Sequence, residues 1–175
     1  MPTHIPESAS AFGEDWLTEV LRDSGQISSD NSVISFERDS HGAGLGYLSE
    51  IERIRISYLH EEPDSPEVVI AKFPTSSEKS RALATLFDSY SREVLFYKEL
   101  ASSVEVAIPQ CFWADIAPET FSERLTGGIV KLLPEKMIVG LLDKLLSGAG
   151  TSSRRSGLLL EDLSDDRVGD QVEGC

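Results

Sequence analysis

The sequence predicts an α+β fold: an antiparallel sheet of about five strands, one long helix packed against it, and a shorter helix near the N-terminus. Two observations carry this prediction. From Glu67 to Phe73 the chain is a β-branched run in which apolar positions alternate as they do in a strand. From Ser77 to Ala101 the spacing of apolar residues changes to the helical period. Shorter strand patterns precede and follow these two stretches.

Composition limits the classes of protein and partner. The chain has 175 residues, of which 40% are hydrophobic, and this is enough for one domain with a core. Thirty acidic residues against 16 basic ones give a net charge of −14, which disfavours nucleic acid and anionic membrane surfaces as partners. Two cysteines, Cys111 and Cys175, form no disulfide framework, and the N-terminus has no secretory pattern. We therefore expect a cytoplasmic protein with free thiols.

The N-terminal region is predicted to contain one helix. Residues 1–13 are polar and contain no motif, so we expect a flexible lead-in, and the rest of the chain, 14–175, forms the domain. Between Glu14 and Asp23, apolar residues lie on one side of a short helix, and Gly25 is placed to end it. The apolar positions are Trp16, Leu17, Val20 and Leu21.

Two strands joined by a glycine turn are expected next. The first lies between Asn31 and Asp39, with Val33 and Ser35 on one face and Ile34 and Phe36 on the other. The second carries Ile51, Arg53 and Arg55 out of phase with Ile54 and Ile56. The turn contains Gly42, Gly44 and Gly46. Such a turn lets backbone N–H groups approach phosphate oxygens, although hairpin glycines also serve only as turn formers. The glycines open a strand rather than a helix, which excludes the dinucleotide-binding βαβ motif.

A lysine and a glutamate are predicted to form an ion pair. Lys72 lies in line with core residues of its strand, and Glu93 lies in the middle of the apolar stripe of the long helix. That stripe consists of Leu83, Leu86, Tyr90, Tyr97 and Leu100. A carboxylate on a buried face costs on the order of several kcal/mol unless a cation meets it. The alternatives are that the lysine extends into solvent and that Arg92 or Lys98 satisfies the glutamate.

The C-terminal third contains two more strands and an insert. We expect one strand between Val106 and Ile116, with Phe112 and Ala114 on one face and Cys111, Trp113 and Asp115 on the other. The second is the apolar run from Gly157 to Leu163. Between them, residues 117–156 form an insert that includes an apolar helical pattern. The insert could pack on the domain, bind a protein partner, or be foreign to the fold.

The chain resembles a known family in three segments taken together: VIAKFP, SREVLFYKEL and GLLLEDLSDDRVGDQ. They are similar to the small, N-terminal lobe of the protein-kinase-like phosphotransferases related to aminoglycoside and choline kinases, and within that superfamily to the branch of ecdysteroid-kinase-like proteins. The resemblance extends over roughly residues 14–115 and 157–175. It implies an ATP-binding lobe with a hinge, from an enzyme that transfers a phosphoryl group to a hydroxyl of a small molecule.

The resemblance also implies roles for particular residues. Lys72 would hold the α and β phosphates, and Glu93 would orient Lys72. The loop with Gly42, Gly44 and Gly46 would cover the phosphates, while the backbone around Glu161 and Leu163 would bind the adenine edge. In this family a histidine two residues before an aspartate, and a further aspartate that binds Mg²⁺, complete the catalytic site. Neither an H-x-D nor a D-x-D pattern occurs in the sequence.

Three hypotheses follow. The chain is expected to be a truncated ATP-binding lobe whose catalytic C-terminal lobe is absent, inactive alone, with Mg²⁺ needed only by the complete enzyme. Alternatively it is a non-catalytic kinase-like module that binds a protein partner through the insert. The third hypothesis is an unrelated acidic α+β domain with an accidental resemblance, and it predicts no close approach of Lys72 and Glu93. Three aspartates, Asp162, Asp165 and Asp166, are candidate metal ligands, but the sequence has no other ligand cluster, so we expect them to form a solvated hinge surface.

Overall fold

The structure, a computed structural model, describes residues 4–39, 48–119 and 154–163. Within these ranges three α-helices and five strands follow one another along the chain. The helices are α1 (Glu14–Asp23), α2 (Glu78–Leu86) and α3 (Ser89–Leu95), and the strands are β1 (Val33–Asp39), β2 (Ser49–Tyr58), β3 (Val68–Pro74), β4 (Cys111–Ile116) and β5 (Ser156–Glu161). The predicted glycine loop and most of the predicted insert lie outside the described residues.

The five strands form one antiparallel sheet in the order β1-β2-β3-β5-β4. The last strand in sequence, β5, therefore lies between β3 and β4, and all its side chains from Ser156 to Leu160 are buried. A strand that is buried on both faces is expected to be apolar throughout, as LLL is here. The α+β prediction with a five-stranded antiparallel sheet is confirmed.

One face of the sheet packs against α1. The apolar side of this helix, Trp16, Leu17, Val20 and Leu21, is buried as its spacing predicted. It meets the alternate residues Val69, Ala71 and Phe73 of β3, which are at most 1% exposed. The helix ends before Gly25, whose φ of +74° is the left-handed conformation that favours glycine after a helix.

The N-terminal segment packs on this same face, where a flexible lead-in was expected. Ala9 and Phe12 are buried against the α1 core, and Phe12 stacks with Phe36 and Phe73. The guanidinium of Arg38 donates to the carbonyls of Ala9 and Phe12, at 2.9 and 3.0 Å, and lies over the Phe12 ring. Aromatic burial and these hydrogen bonds give the segment a defined place that its polar composition did not suggest.

The opposite face packs against α3. Val94 is 2% exposed and contacts a cluster formed by β4 and β5, with Ala114, Leu158 and Leu160. Ile70 and Tyr97, both half-buried, extend this cluster. Because α1 and α3 lie on opposite faces, the sheet forms the middle layer, and alternate residues of β3 point to different helices.

The prediction of one continuous helix from Ser77 to Ala101 was wrong. The helix begins at the predicted position, with Ser77 as its N-cap. It breaks after α2, where Asp88 adopts a left-handed conformation with φ of 52°. After α3 the chain continues as a π-helical turn from Phe96 to Leu100. These changes of pitch rotate the apolar stripe away from the sheet. Leu100 is therefore 55% exposed rather than buried, and Tyr90 is half-buried; the side chain of Leu86 lies outside the described part.

Two bulges also changed the predicted faces. The register between β1 and β2 shifts at Ile34, so Val33 and Phe36 share the α1 face while Ile34 is 57% exposed. A similar shift between Cys111 and Trp113 places Phe112 and Trp113 together on the α1 face and Cys111 with Ala114 on the α3 face. Strict alternation assigned these pairs differently, because an extra residue in one strand reverses the phase beyond it.

Candidate functional site

The candidate site begins with Lys72 in the middle of the sheet. Its neighbours across the strands are Ile51 on β2 and Leu158 on β5. Its side chain is 25% exposed, so the ammonium group is partly shielded but reachable from solvent. We call the surface carrying Ile51, Arg53, Ile70 and Lys72 the Lys72 face; α3 packs beside it, over β5 and β4.

The predicted ion pair is present. Lys72 Nζ lies 2.5 Å from Glu93 Oε1, and the Glu93 side chain is 32% exposed. The alternative partner Lys98 is engaged elsewhere, because its ammonium donates to Asp115 at 2.8 Å. The pair therefore links the strand and the helix across the face, as the position of Glu93 in the apolar stripe indicated.

Several contacts fix α3, and with it the direction of Glu93. Val94, the next residue, anchors the helix on β5, and Ser91 is buried and accepts a hydrogen bond of 2.9 Å from Arg154. The Tyr90 hydroxyl donates to the Leu48 carbonyl at 2.5 Å. Burial raises the pKa of the Tyr90 hydroxyl, so it remains a donor at neutral pH. These contacts hold the Glu93 carboxylate beside Lys72 on β3.

The Leu48 carbonyl marks the end of the predicted glycine loop. Besides Tyr90, the N–H of Thr75 approaches it at 3.4 Å, and the N–H of Ser76 donates to the Glu50 carboxylate at 2.8 Å. The start of β2 is thus tied to the end of β3 and to α3. Gly42, Gly44 and Gly46 themselves lie outside the described residues.

At the other end of the Lys72 face, the predicted hinge is partly engaged. The Glu161 N–H donates to the Gln110 carbonyl at 2.8 Å, and its carboxylate accepts from the Gln110 N–H at 2.9 Å. The Glu161 N–H is therefore already hydrogen-bonded within the protein and is not a free donor for the adenine edge. Leu163 is 37% exposed, at the end of the described range.

A second ion pair, which sequence reasoning missed, lies beside this segment. Arg53 Nε is 2.6 Å from Asp162 Oδ2, and the two side chains are 33% and 7% exposed. The interpretation of Asp162 as part of a solvated surface was wrong, while Asp165 and Asp166 lie outside the described residues. Alternation did place Arg53 on the face of Ile51, and the apolar run of β5 is typical of a central strand, but no local pattern paired Arg53 with Asp162.

The other candidate groups for chemistry or binding either lie apart from this site or are unreactive. Cys111 is half-buried, and burial raises the pKa of its thiol to about 11, so the thiol stays protonated at neutral pH. Among the described residues no group of three or more His, Cys, Asp or Glu side chains is arranged to hold a metal ion. A polar cavity between α1 and β1, lined by Thr18, Glu19 and Arg22 among others, is on the far side of the sheet.

Comparison of the chain with protein-family models, with curated proteins and with solved structures found no match. None of the helices within the described ranges is long and apolar enough to cross a membrane.

Proposed function

We propose that the Lys72 face binds the phosphates of ATP, and that the chain is the ATP-binding lobe of a small-molecule kinase. The observation that carries the proposal is the 2.5 Å ion pair between a lysine in mid-sheet and a glutamate held by α3. An ammonium group has three N–H donors, and Glu93 accepts one of them, so two remain for phosphate oxygens. Lysine held by glutamate in this way serves as the phosphate ligand in kinase-like enzymes.

Charge supports a local rather than a general attraction for the nucleotide. The net charge of −14 repels a polyphosphate at long range, so binding needs a cation at a defined point. Lys72 provides one that is a quarter exposed and already oriented. Leu48, directly before β2, accepts a hydrogen bond from the Tyr90 hydroxyl, and β2 is the strand next to the one that carries Lys72.

The proposed reaction is transfer of a phosphoryl group from ATP to a hydroxyl of a small molecule. In that reaction Lys72 would hold the α and β phosphates, and Glu93 would keep its ammonium in place. Transfer also needs a carboxylate that orients the acceptor hydroxyl and ligands for Mg²⁺. We therefore assign Lys72 and Glu93 the nucleotide-holding part of this chemistry.

Calorimetric titration with Mg-ATP tests the proposal. We expect saturable binding to the wild-type chain and a loss of roughly 10- to 100-fold in affinity for Lys72→Ala, since a charge-assisted hydrogen bond to phosphate is removed. Lys79→Ala is the control, because Lys79 is an exposed lysine on α2 whose loss changes the net charge equally. Glu93→Gln should weaken binding less than Lys72→Ala. A folded chain that does not bind, or binds equally with Ala at position 72, contradicts the proposal.

A second candidate function is a non-catalytic module that binds another protein. It is favoured by apolar side chains exposed after α3: Leu100, Val104 and Val106 are 55%, 37% and 69% exposed. The predicted contact surface in the insert lies largely outside the described residues. The same titration separates the two functions, because an interaction module that has lost its nucleotide site does not bind Mg-ATP.

A further inference from the structure

The Lys72 face carries a second charged pair, Arg53 and Asp162, in addition to the pair that the proposed function uses. The Asp162 side chain is 7% exposed, and a carboxylate buried to that degree is costly unless a cation stays with it. Its bond to Arg53 Nε is 2.6 Å long. The pair is therefore a stable feature of the face rather than a chance surface contact.

The sheet register shows where the guanidinium lies. Arg53 on β2 is opposite Ile70 on β3, and Ile70 is opposite Leu160 on β5. Asp162 follows β5, so its backbone lies two interstrand spacings, about 10 Å, from β2, and the Arg53 and Asp162 side chains meet over the strand between them. The guanidinium consequently crosses over β3 near Ile70, which is half-buried.

The same register gives the separation from the proposed phosphate site. Ile70 and Lys72 are two residues apart on the same face of β3, a step of about 6.6 Å in an extended strand. A nucleotide whose phosphates contact Lys72 can therefore extend along β3 and place its base against Arg53. The predicted hinge residues Glu161 and Leu163 lie at this same end.

The chemistry of the pair suits a base better than a phosphate. Asp162 already neutralises Arg53, and an anion bound to the guanidinium would approach the carboxylate as well. A guanidinium held in one plane by a carboxylate instead presents a flat cationic face, which stacks on aromatic rings. A nucleobase is such a ring, and it carries no charge that Asp162 would repel.

We propose that Arg53 is the base-contacting residue of this site and that Asp162 is a positioning residue that holds its guanidinium. The proposal rests on the proposed nucleotide function, and it adds the base contact to the phosphate contact at Lys72. Arg53 contacts the base by stacking, so the site binds nucleotides more tightly than polyphosphates that lack a base.

Calorimetry with two ligands, ATP and inorganic tripolyphosphate, tests the proposal on the 175-residue chain. We expect Arg53→Ala to weaken ATP binding about tenfold and to leave tripolyphosphate affinity within about twofold. Lys72→Ala should weaken the binding of both ligands. The matched control is Arg55→Ala, since Arg55 lies on the same face of the same strand, is exposed, and carries the same charge.

If Arg53→Ala does not fold, Arg53→Lys is the variant that tests the proposal. Lysine retains the charge that Asp162 needs but has no planar group, so it should also lose ATP affinity about tenfold and keep tripolyphosphate affinity. Asp162→Asn should lower ATP affinity by a smaller factor, through a less fixed Arg53. Thermal melts of each variant establish that it is folded.

The outcomes separate the two proposals. If neither ligand binds the wild-type chain, the nucleotide function fails and the base contact fails with it. If ATP binds and depends on Lys72 but not on Arg53, only the base contact is overturned. Equal losses for both ligands would make Arg53 a phosphate contact, and tighter ATP binding by Arg53→Ala would make the ion pair an obstruction; either result contradicts the proposal.

Discussion

At the scale of single residues, Gly157 shows how closely the sheet and its aromatic core fit together. A methyl group at this position would lie 2.7 Å from Phe73 Cε1 and 2.9 Å from Trp113 Cζ3. Both rings belong to the α1 core, and the Trp113 ring also packs edge-on against Trp16. Glycine at the start of β5 is therefore a packing requirement, since its backbone needs no left-handed conformation.

We predict that Gly157→Ala lowers the free energy of unfolding by about 1–3 kcal/mol, because the added methyl forces two large rings to move. Urea denaturation monitored by tryptophan fluorescence measures the change. Gly13→Ser is the control, since a side chain there meets open space at the N-cap of α1, and its effect should stay within about 0.5 kcal/mol. Equal stability of Gly157→Ala and wild type would show that the rings do not lie where the structure has them.

At the scale of elements, the break between α2 and α3 places Glu93. Asp88 adopts a left-handed conformation, with φ of 52° and ψ of 34°, and its carbonyl accepts from the N–H of Arg92 at 3.0 Å at the start of α3. A straight helix would continue the stripe that contains Leu100. The break instead turns Val94 towards β5 and leaves Glu93 beside Lys72.

We predict that Asp88→Asn leaves stability nearly unchanged, whereas Asp88→Val lowers it by about 1–2 kcal/mol. Asparagine tolerates the left-handed conformation as aspartate does, while a β-branched side chain does not. Asp88 is exposed, so lost packing does not enter the comparison. The measurement is again urea denaturation of the two variants. If valine were as well tolerated as asparagine, α2 and α3 would form one continuous helix.

At the scale of the whole molecule, charge opposes compactness. A net charge of −14 in 175 residues creates self-repulsion that favours expanded states. The exposed ion pairs oppose this only weakly; Lys98 and Asp115, for example, are 38% and 34% exposed. Salt should therefore screen the repulsion between like charges more than it weakens the ion pairs.

We predict that raising NaCl from 10 mM to 150 mM stabilises the chain by about 1 kcal/mol, or roughly 2–4 °C in Tm, since the Debye length shortens from about 30 Å to about 8 Å. Differential scanning calorimetry measures the shift. KCl at the same ionic strength is the control and should act equally, because screening depends on ionic strength alone. A fall in Tm with salt would mean that ion pairs outweigh the net repulsion.

The sequence by itself determined the class of the fold, the helix α1, the approximate place of each strand, and the pairing of Lys72 with Glu93. These follow from side-chain periodicity and from the cost of a lone buried carboxylate, which act within about 20 residues. The tertiary structure decided the bulges at Ile34 and near Cys111, the break at Asp88, and the exposure of Leu100. It also decided the contact of Arg53 with Asp162, which are 109 residues apart. That contact exists only because β5 lies next to β3, and strand order is set by packing across the whole sheet rather than by any local pattern.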